Sequence, residues 1–179
     1  MADDVIRGLN NNVVFVALNF SKRLPSTWRY WDNIHGDSNV RWLLDGKVFD
    51  AEKYRGAYIT DIIKNVVGSE AQNVADELAL ANIRKNIGWF FEEIDLLGSD
   101  RIEMYLFGDV VANIFKKYLM NRFTPGYPAF RKKVKKCQHI FHYSGRNNGR
   151  FINFTPEELG LRAESKPDLD ILWDDGDKA

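Results

Sequence analysis

The chain of 179 residues has a single cysteine, Cys137, and it has neither a long apolar run nor a net charge. One cysteine excludes an intrachain disulfide, so we expect a reducing compartment, the cytoplasm, and a packing role for Cys137. No apolar run approaches the roughly 20 residues of a membrane-spanning helix. The first residues, Met-Ala-Asp-Asp-Val, lack the basic and apolar regions of a signal peptide. No Cys/His spacing resembles a zinc site, and no glycine loop resembles a phosphate cradle. We therefore expect no metal, no cofactor and no contact with a membrane.

The composition that is present is typical of one globular α/β domain. Hydrophobic residues make up 45% of the chain and aromatic residues 13%, and the length suits one domain with a sizeable core. We predict this domain over residues 1–166. Residues 167–179 form an acidic tail that we expect to be flexible. A monomer is the default expectation.

Four apolar runs predict strands. They are rich in β-branched or aromatic residues, and polar residues or glycines bound them, as is typical of strands buried in a parallel sheet. The runs are residues 13–18, 57–63, 102–107 and 137–142.

Two helical patterns follow the second and the third run. The first pattern ends at Gly98, which stands where a C-cap belongs, and the second begins at Asp109, a candidate N-cap. Residues 125–128, Pro-Gly-Tyr-Pro, are predicted to be a loop. Strands alternating with helices predict a single-domain, three-layer α/β/α fold with a central four-stranded, mostly parallel sheet. Apolar residues at spacings typical of helices are Ile83, Ile87, Phe90, Ile94 and Leu97 in the first pattern, and Val111, Ile114, Phe115 and Leu119 in the second.

Positive charge is concentrated in one part of this neutral chain. Between Lys116 and Arg150 there are ten Lys or Arg residues and no Asp or Glu. Such a block indicates a partner that is a polyanion, although a solvated basic face is the simpler alternative.

The carboxyl ends of the predicted strands are the places to look for a site, because ligands of open parallel sheets bind there. The segments that follow the four runs carry polar side chains suited to chemistry. They are residues 19–21, 60–61, 108–109 and 142–146.

Two of these segments carry a family resemblance. Asn19 after the first run, and His142-Tyr-Ser144 after the fourth, resemble the two defining motifs of the uracil-DNA glycosylase superfamily. The segment Val16-Ala-Leu-Asn19-Phe-Ser21 is similar to the Gly-Ile-Asn-Pro-Gly of the mismatch-specific branch. The His-Tyr-Ser segment resembles His-Pro-Ser, with Tyr143 in place of the proline.

The resemblance extends over most of the chain in the same order. Residues 35–42 resemble an Asn-Arg-Phe-Trp element, and residues 107–109 resemble the glycine turn after the third strand. Gly56-Ala-Tyr-Ile-Thr60-Asp61 lies where the mismatch-specific branch has Gly-Val-Thr-Lys. Together with the later His-Tyr-Ser, it is similar to a bacterial glycosylase-like group of undefined activity.

The resemblance implies a DNA glycosylase that hydrolyses the N-glycosidic bond of a flipped modified or damaged base. The partner would be single- or double-stranded DNA. The implied catalytic residues are Asn19, which positions the attacking water, and His142, which donates a hydrogen bond to the departing base. Phe20 is the first candidate for stacking on that base, followed by Tyr30 and Trp42. The other implied substrate-binding residues are Ser21, Asp61 at the edge of the base, and Ser144 at a backbone phosphate. The implied phosphate-binding residues are Lys132, Lys133, Lys135, Arg146 and Arg150.

Two other functions fit the same residues. Loss of the loop prolines, at Phe20 and Tyr143, favours a non-catalytic nucleic-acid-binding protein that retains the glycosylase fold. A nucleoside or nucleotide N-glycosidase is the other alternative, and it would need no basic groove. The simpler interpretations are a turn residue for Asn19, a structural histidine for His142 and a cap for Asp61.

Overall fold

The structure is a computed structural model, and it describes residues 8–19, 54–64 and 80–140. Within these ranges the chain forms four strands and three α-helices, and a π-helical turn continues the second helix. In chain order they are β1 (Asn10–Ala17), β2 (Ala57–Asp61), α1 (Leu80–Leu96), β3 (Ile102–Phe107), α2 (Gly108–Ile114) with its π-helical turn (Phe115–Leu119), α3 (Tyr127–Lys133) and β4 (Val134–Ile140).

The four strands form one sheet in the order β2-β1-β3-β4, and every pairing in it is parallel. The α/β class and the four-stranded parallel sheet are therefore confirmed. The two described crossovers, β2–α1–β3 and β3–α2–α3–β4, move across the sheet in the same direction. Right-handed connections then place their helices on the same face of the sheet.

That face holds one continuous hydrophobic core. Val14 and Val16 of β1 and Met104 and Leu106 of β3 point into it, because alternate residues of a strand share a face. The periodic residues predicted for the inner side of α1 are buried there. They are Ile83, Ile87, Phe90 and Ile94. The fifth predicted residue, Leu97, lies just past the end of α1 and is only partly buried against this core. The residues predicted for the inner side of α2 and its π-helical turn are buried as well: Val111, Ile114, Phe115 and Leu119.

The other face of β1 and β3 carries buried aromatic rings. The Phe15 ring lies 5.3 Å from that of Tyr105, 5.6 Å from that of Phe107 and 5.8 Å from that of Tyr54. Both central strands are thus buried on both faces, which explains why their sequences are continuous apolar runs. The described residues include no helix on this face, so the three-layer arrangement and the domain bounds stay predictions.

The start of α2 corrects the predicted cap. The helix begins at Gly108, with Phe107 in the N-cap position and no capping side chain. Asp109 lies inside the first turn, where a negative charge still favours the helix through its dipole.

The prediction of a loop over residues 125–128 is correct for the first two residues and wrong for the last two, which begin α3. Gly126 has φ 88° and precedes α3, and Pro128 falls in the first turn of that helix. Proline is tolerated there because its missing N–H would have no partner within the helix.

The fourth strand begins earlier than its apolar run. β4 starts at Val134, which is buried and lies opposite Ile102 of β3, and the register shifts between this pair and the next, Glu103 with Lys136. Two lysines separate Val134 from the apolar run, so this start was not predicted from the sequence. Cys137 is a buried thiol, as the packing interpretation predicted.

Within the described residues, no helix combines the length and the hydropathy needed to cross a membrane.

Candidate functional site at the carboxyl edge of the sheet

The order of the strands identifies a position for a ligand. From β1 the chain passes to β2 on one side, whereas β3 and β4 lie on the other, so the strand order reverses between β1 and β3. Open parallel sheets bind ligands outside the carboxyl ends of the strands at this reversal. Asn19 follows the end of β1 by two residues and is half-buried there. The sequence predicted Asn19 as a site residue, and the strand order gives a physical reason for a ligand to bind at its position.

The end of β2 lies beside Asn19. Asp61 is opposite Ala17 in the β1–β2 register. Two further hydrogen bonds extend the ladder, from the Ile62 amide to the Ala17 carbonyl (2.9 Å) and from the Ile63 amide to the Leu18 carbonyl (2.8 Å). Asn19 is therefore only two residues along from the level of Asp61, a rise of roughly 7 Å.

Asp61 is a carboxyl group in an unfavourable environment. It is only 7% exposed. Burial raises the pKa of Asp61 to about 6, the Lys64 ammonium opposes that rise, and the Glu93 carboxylate adds to it. A carboxyl with this pKa changes charge close to neutral pH, which is a property of groups that exchange protons or hydrogen bonds with a substrate.

On the helix face, four side chains tie β2 to α1, and we call them the polar clamp: Tyr58, Thr60, Lys64 and Glu93. Glu93 of α1 accepts hydrogen bonds from the Tyr58 hydroxyl and from Thr60 Oγ1, the latter at 2.8 Å, and it forms an ion pair with Lys64. Lys64 Nζ also donates to Thr60 Oγ1 at 2.6 Å. The side chains of Lys64 and Glu93 are 18% and 25% exposed, so the pair is partly shielded from water.

A buried asparagine reinforces the polar clamp through the backbone. The Lys64 amide donates to Asn86 Oδ1 at 2.6 Å, and Asn86 Nδ2 donates to the Asn82 carbonyl at 2.9 Å. The chain that leaves β2 is thereby fixed to α1 on one side and to β1 on the other. The position of Asp61 beside Asn19 follows from these two attachments.

Sequence reasoning missed the polar clamp and Asn86, although it named Thr60. One signal was present: Asn86 and Glu93 are seven residues apart, next to the apolar stripe that contains Ile87 and Ile94. Two polar residues two helical turns apart, beside a buried stripe, indicate a polar contact with the neighbouring strand.

Replacing Glu93 with alanine is expected to lower the free energy of unfolding by about 1 to 2 kcal/mol, since three donors lose their acceptor but water can reach some of them. Glu92→Ala, at the exposed neighbouring position, is the control and should change stability by less than about 0.5 kcal/mol. Urea unfolding of both variants checks this. Equal losses in the two variants would show that the polar clamp does not stabilise the protein.

A second polar contact lies at the same edge, between the ends of β3 and β4. His139 Nε2 is 3.3 Å from Asp109 Oδ1, and His139 is opposite Leu106 in the register. The carboxylate of α2 thus holds the imidazole of β4 on the helix face.

Most of the other predicted site residues lie outside the described residues. Of the catalytic and substrate-binding set, the structure describes Asn19 and Asp61, and it places them at one edge. Those outside the described residues are Phe20, Ser21, Tyr30, Trp42, His142, Ser144, Arg146 and Arg150.

The three predicted phosphate-binding lysines that are described lie at the opposite edge. Lys132 and Lys133 end α3, and Lys135 is the second residue of β4, next to the amino end of the sheet. β4 is seven residues long, so these lysines lie roughly 20 Å from the carboxyl edge. Lys133 also forms an ion pair with Asp95, and Lys135 Nζ donates to the Lys132 carbonyl at 2.6 Å. The structure does not bring them together with Asn19.

Among the described residues, no group of three or more His, Cys, Asp or Glu side chains is arranged to hold a metal ion. Comparison of the chain with protein-family models, with curated proteins and with solved structures finds no match.

Proposed function

We propose that the protein is a DNA base glycosylase, a hydrolase that breaks the N-glycosidic bond of a flipped modified or damaged base. The observation that supports this proposal is the position of Asn19, after the central strand β1 and at the reversal of strand order. A ligand that binds there by the general rule for parallel sheets meets the residue that the resemblance assigns to the attacking water.

The protein can assist the reaction at two places, the attacking water and the departing base. The water oxygen bonds to C1′ of the sugar as the bond from C1′ to the base nitrogen breaks. The attacking water releases one proton to solvent, and the base leaves as an anion that takes up one proton from solvent. The Asn19 amide, which both donates and accepts hydrogen bonds, orients the water but cannot take its proton. We assign a contact with the edge of the base to Asp61, whose carboxyl has its pKa raised by burial to about 6 and so changes charge near neutral pH.

The remaining roles belong to residues outside the described ranges. We assign the hydrogen bond to the departing base to His142 and a backbone phosphate to Ser144. Phe20 would stack on the flipped base, with Ser21 beside it and Tyr30 and Trp42 as further contacts. Arg146 and Arg150 follow His142 closely in the chain and would bind phosphates near it.

The test is strand cleavage by hot alkali on oligonucleotides that each carry one modified base. Single- and double-stranded substrates would contain uracil, hypoxanthine, xanthine, ethenocytosine, or hydroxymethylated or glucosylated cytosine. We expect Asn19→Ala to lower the rate on the accepted base by about 100-fold or more while leaving DNA binding within about twofold. The control is Asn113→Ala, at an exposed position of α2, which should keep the full rate. Cleavage of no substrate, or full activity in Asn19→Ala, would refute the proposal.

A free nucleoside or nucleotide is the second candidate substrate, and one observation favours it. The three described lysines of the predicted phosphate-binding set lie at the amino edge, away from Asn19. Hydrolysis of a nucleoside needs no phosphate contacts, so its rate should barely respond to added salt, whereas action on DNA should weaken steeply.

A further inference from the structure

The described part of the basic segment forms a surface of its own at the amino edge of the sheet. Residues 116–136 contain eight Lys or Arg and no Asp or Glu. They comprise most of the π-helical turn, the loop 120–126, α3 and the start of β4. We call its five exposed cationic and aromatic side chains the amino-edge surface: Lys117, Arg122, Phe123, Lys132 and Lys135.

An aromatic ring stands among these cations. Phe123 is 79% exposed, and the guanidinium of Arg122 lies 5.0 Å from its ring centroid. Lys117 Nζ lies 5.0 Å from the ring centroid of Tyr118. Alternation of cations with aromatic rings is the pattern of proteins that hold nucleic-acid strands, where phosphates meet the cations and bases stack on the rings.

The loop that carries Phe123 is held by hydrogen bonds on both sides of the ring. The Phe123 amide donates to Asn121 Oδ1 at 3.0 Å, and Thr124 Oγ1 donates to the Tyr118 carbonyl at 2.5 Å. The Tyr127 amide then donates to the Thr124 carbonyl at 3.0 Å. The ring is therefore exposed on a defined turn.

Aromatic contacts of Phe130 attach the amino-edge surface to the hydrophobic core. The Phe130 ring of α3 lies 4.7 Å from that of Phe91 and 5.8 Å from that of Phe115. An anchored surface loses little conformational freedom when it binds, which favours affinity.

Helix stabilisation explains only part of the positive charge. Cations in the last turn of α3 favour its dipole, Lys135 hydrogen-bonds the Lys132 carbonyl, and Lys133 is paired with Asp95. Lys117 likewise lies in the last turn of the π-helical segment, but none of these contacts accounts for Arg122 and the exposed Phe123, which lie in the loop before α3.

We infer that the amino-edge surface binds single-stranded nucleic acid, with phosphates on its cations and an unpaired base stacked on Phe123. A membrane is the poorer fit, because Phe123 is the only large apolar side chain exposed in residues 116–136, and stable membrane binding needs a larger apolar face. A duplex is also a poorer fit, since its bases are not free to stack on a side chain.

This surface is separate from the proposed reaction site. The roughly 20 Å between the two edges corresponds to about six nucleotides at 3.4 Å per nucleotide of one strand. A longer strand is long enough to reach both edges, whereas a trinucleotide bound at the carboxyl edge is too short to reach Phe123. The inference goes beyond the proposed function and does not depend on catalysis.

Fluorescence anisotropy with a labelled 20-nucleotide single strand tests the inference. We expect Phe123→Ala to weaken binding by about tenfold and Phe123→Trp to restore it, since loss of one stacked base costs roughly 5- to 150-fold. The double variant Arg122→Ala/Lys132→Ala should reduce the slope of log affinity against log salt by about 1.4, at about 0.7 per lost phosphate contact. Lys85→Ala is the matched control, because it removes an exposed cation that also lies over an aromatic ring, that of Trp89 on α1.

Several outcomes would overturn the inference. The inference would be wrong if Phe123→Ala and the double variant both bound the strand with the affinity of the unaltered protein. It would also be wrong if Lys85→Ala lost as much affinity for the strand as those variants do. If Phe123→Ala lost binding to phosphatidylserine vesicles but bound the single strand with unchanged affinity, the surface would be assigned to a membrane instead. Asn19→Ala should bind the 20-nucleotide strand normally, so failure of the glycosylase proposal leaves this measurement unaffected. Conversely, Phe123→Ala should act on a trinucleotide at the normal rate.

Discussion

Replacing Gly56 with alanine is expected to lower the free energy of unfolding by about 3 kcal/mol or more, from backbone strain and overpacking together. Gly56 has φ 73°, in the left-handed region that side chains disfavour. A Cβ atom there would lie 2.0 Å from the Gly8 carbonyl oxygen and 3.1 Å from the Asn10 nitrogen, and both neighbours are backbone. The Asn10 amide donates to the Gly56 carbonyl at 2.8 Å, so the substitution pushes apart the segments where β1 and β2 begin to pair.

Substitutions at two other glycines distinguish the two causes of this loss of stability, backbone strain and overpacking. Gly98 has φ 68° but no atom within 4 Å of its Cβ position, so Gly98→Ala should cost only the backbone strain, about 1 to 2 kcal/mol. Gly88 lies within α1 with open space around it, and Gly88→Ala should raise stability by about 0.5 to 1 kcal/mol. Urea unfolding of the three variants measures these differences. A Gly56→Ala loss no larger than that of Gly98→Ala would contradict the steric account.

The fold was largely predictable because its strongest signals are local. The third strand matched its apolar run, residues 102–107, and the periodic stripe of α1 matched the buried face. The errors lie where polar residues or prolines interrupt the apolar pattern. The start of β4 was predicted too late because lysines follow its first residue. The first turn of α3 was predicted as a loop because prolines are typical of loops.

The candidate site was predictable only where a general rule applied. Residues after parallel strands gather at one edge, and this rule found Asn19 and Asp61. The pairing of Lys64 with Glu93 joins two elements 29 residues apart, so no local pattern contains both partners. The basic segment shows the same limit of local patterns. Its residues 116–136 lie at the amino edge of the sheet, whereas Asn19 and Asp61 lie at the carboxyl edge, and a run of charge in the sequence does not show this separation.

The two edges also differ in how their charges are accommodated. At the amino edge Lys133 meets Asp95 and the α3 terminus, so its charge is stabilised where it lies. At the carboxyl edge Asp61 is buried, and its pKa is raised to about 6, above the ordinary 3.8. A buried carboxyl that costs stability near neutral pH makes Asp61 a candidate functional residue.

Replacing Asp61 with asparagine is therefore expected to stabilise the protein at pH 7.5, by about 3 kcal/mol at 1.36 kcal/mol per pKa unit. Burial raises the pKa of Asp61 from 3.8 to about 6, so between these values the folded state binds more protons than the unfolded state. The contribution of Asp61 to stability is thus fully present below about pH 4, is lost as pH rises to about 6 and stays constant above that. Asparagine has nearly the same shape without the charge, so the gain should disappear below about pH 4.

Urea unfolding from pH 3.5 to 8 distinguishes this charge effect from a change in packing. Asp100→Asn, at an exposed position, is the control and should follow the unaltered protein at every pH. A stability difference between Asp61→Asn and the unaltered protein that does not vary with pH would show that burial of the charge is not the cause. If Asp61 also contacts the base, the same variant should lose glycosylase activity while it gains stability. That opposite movement of stability and activity is the signature of a residue retained for its chemistry.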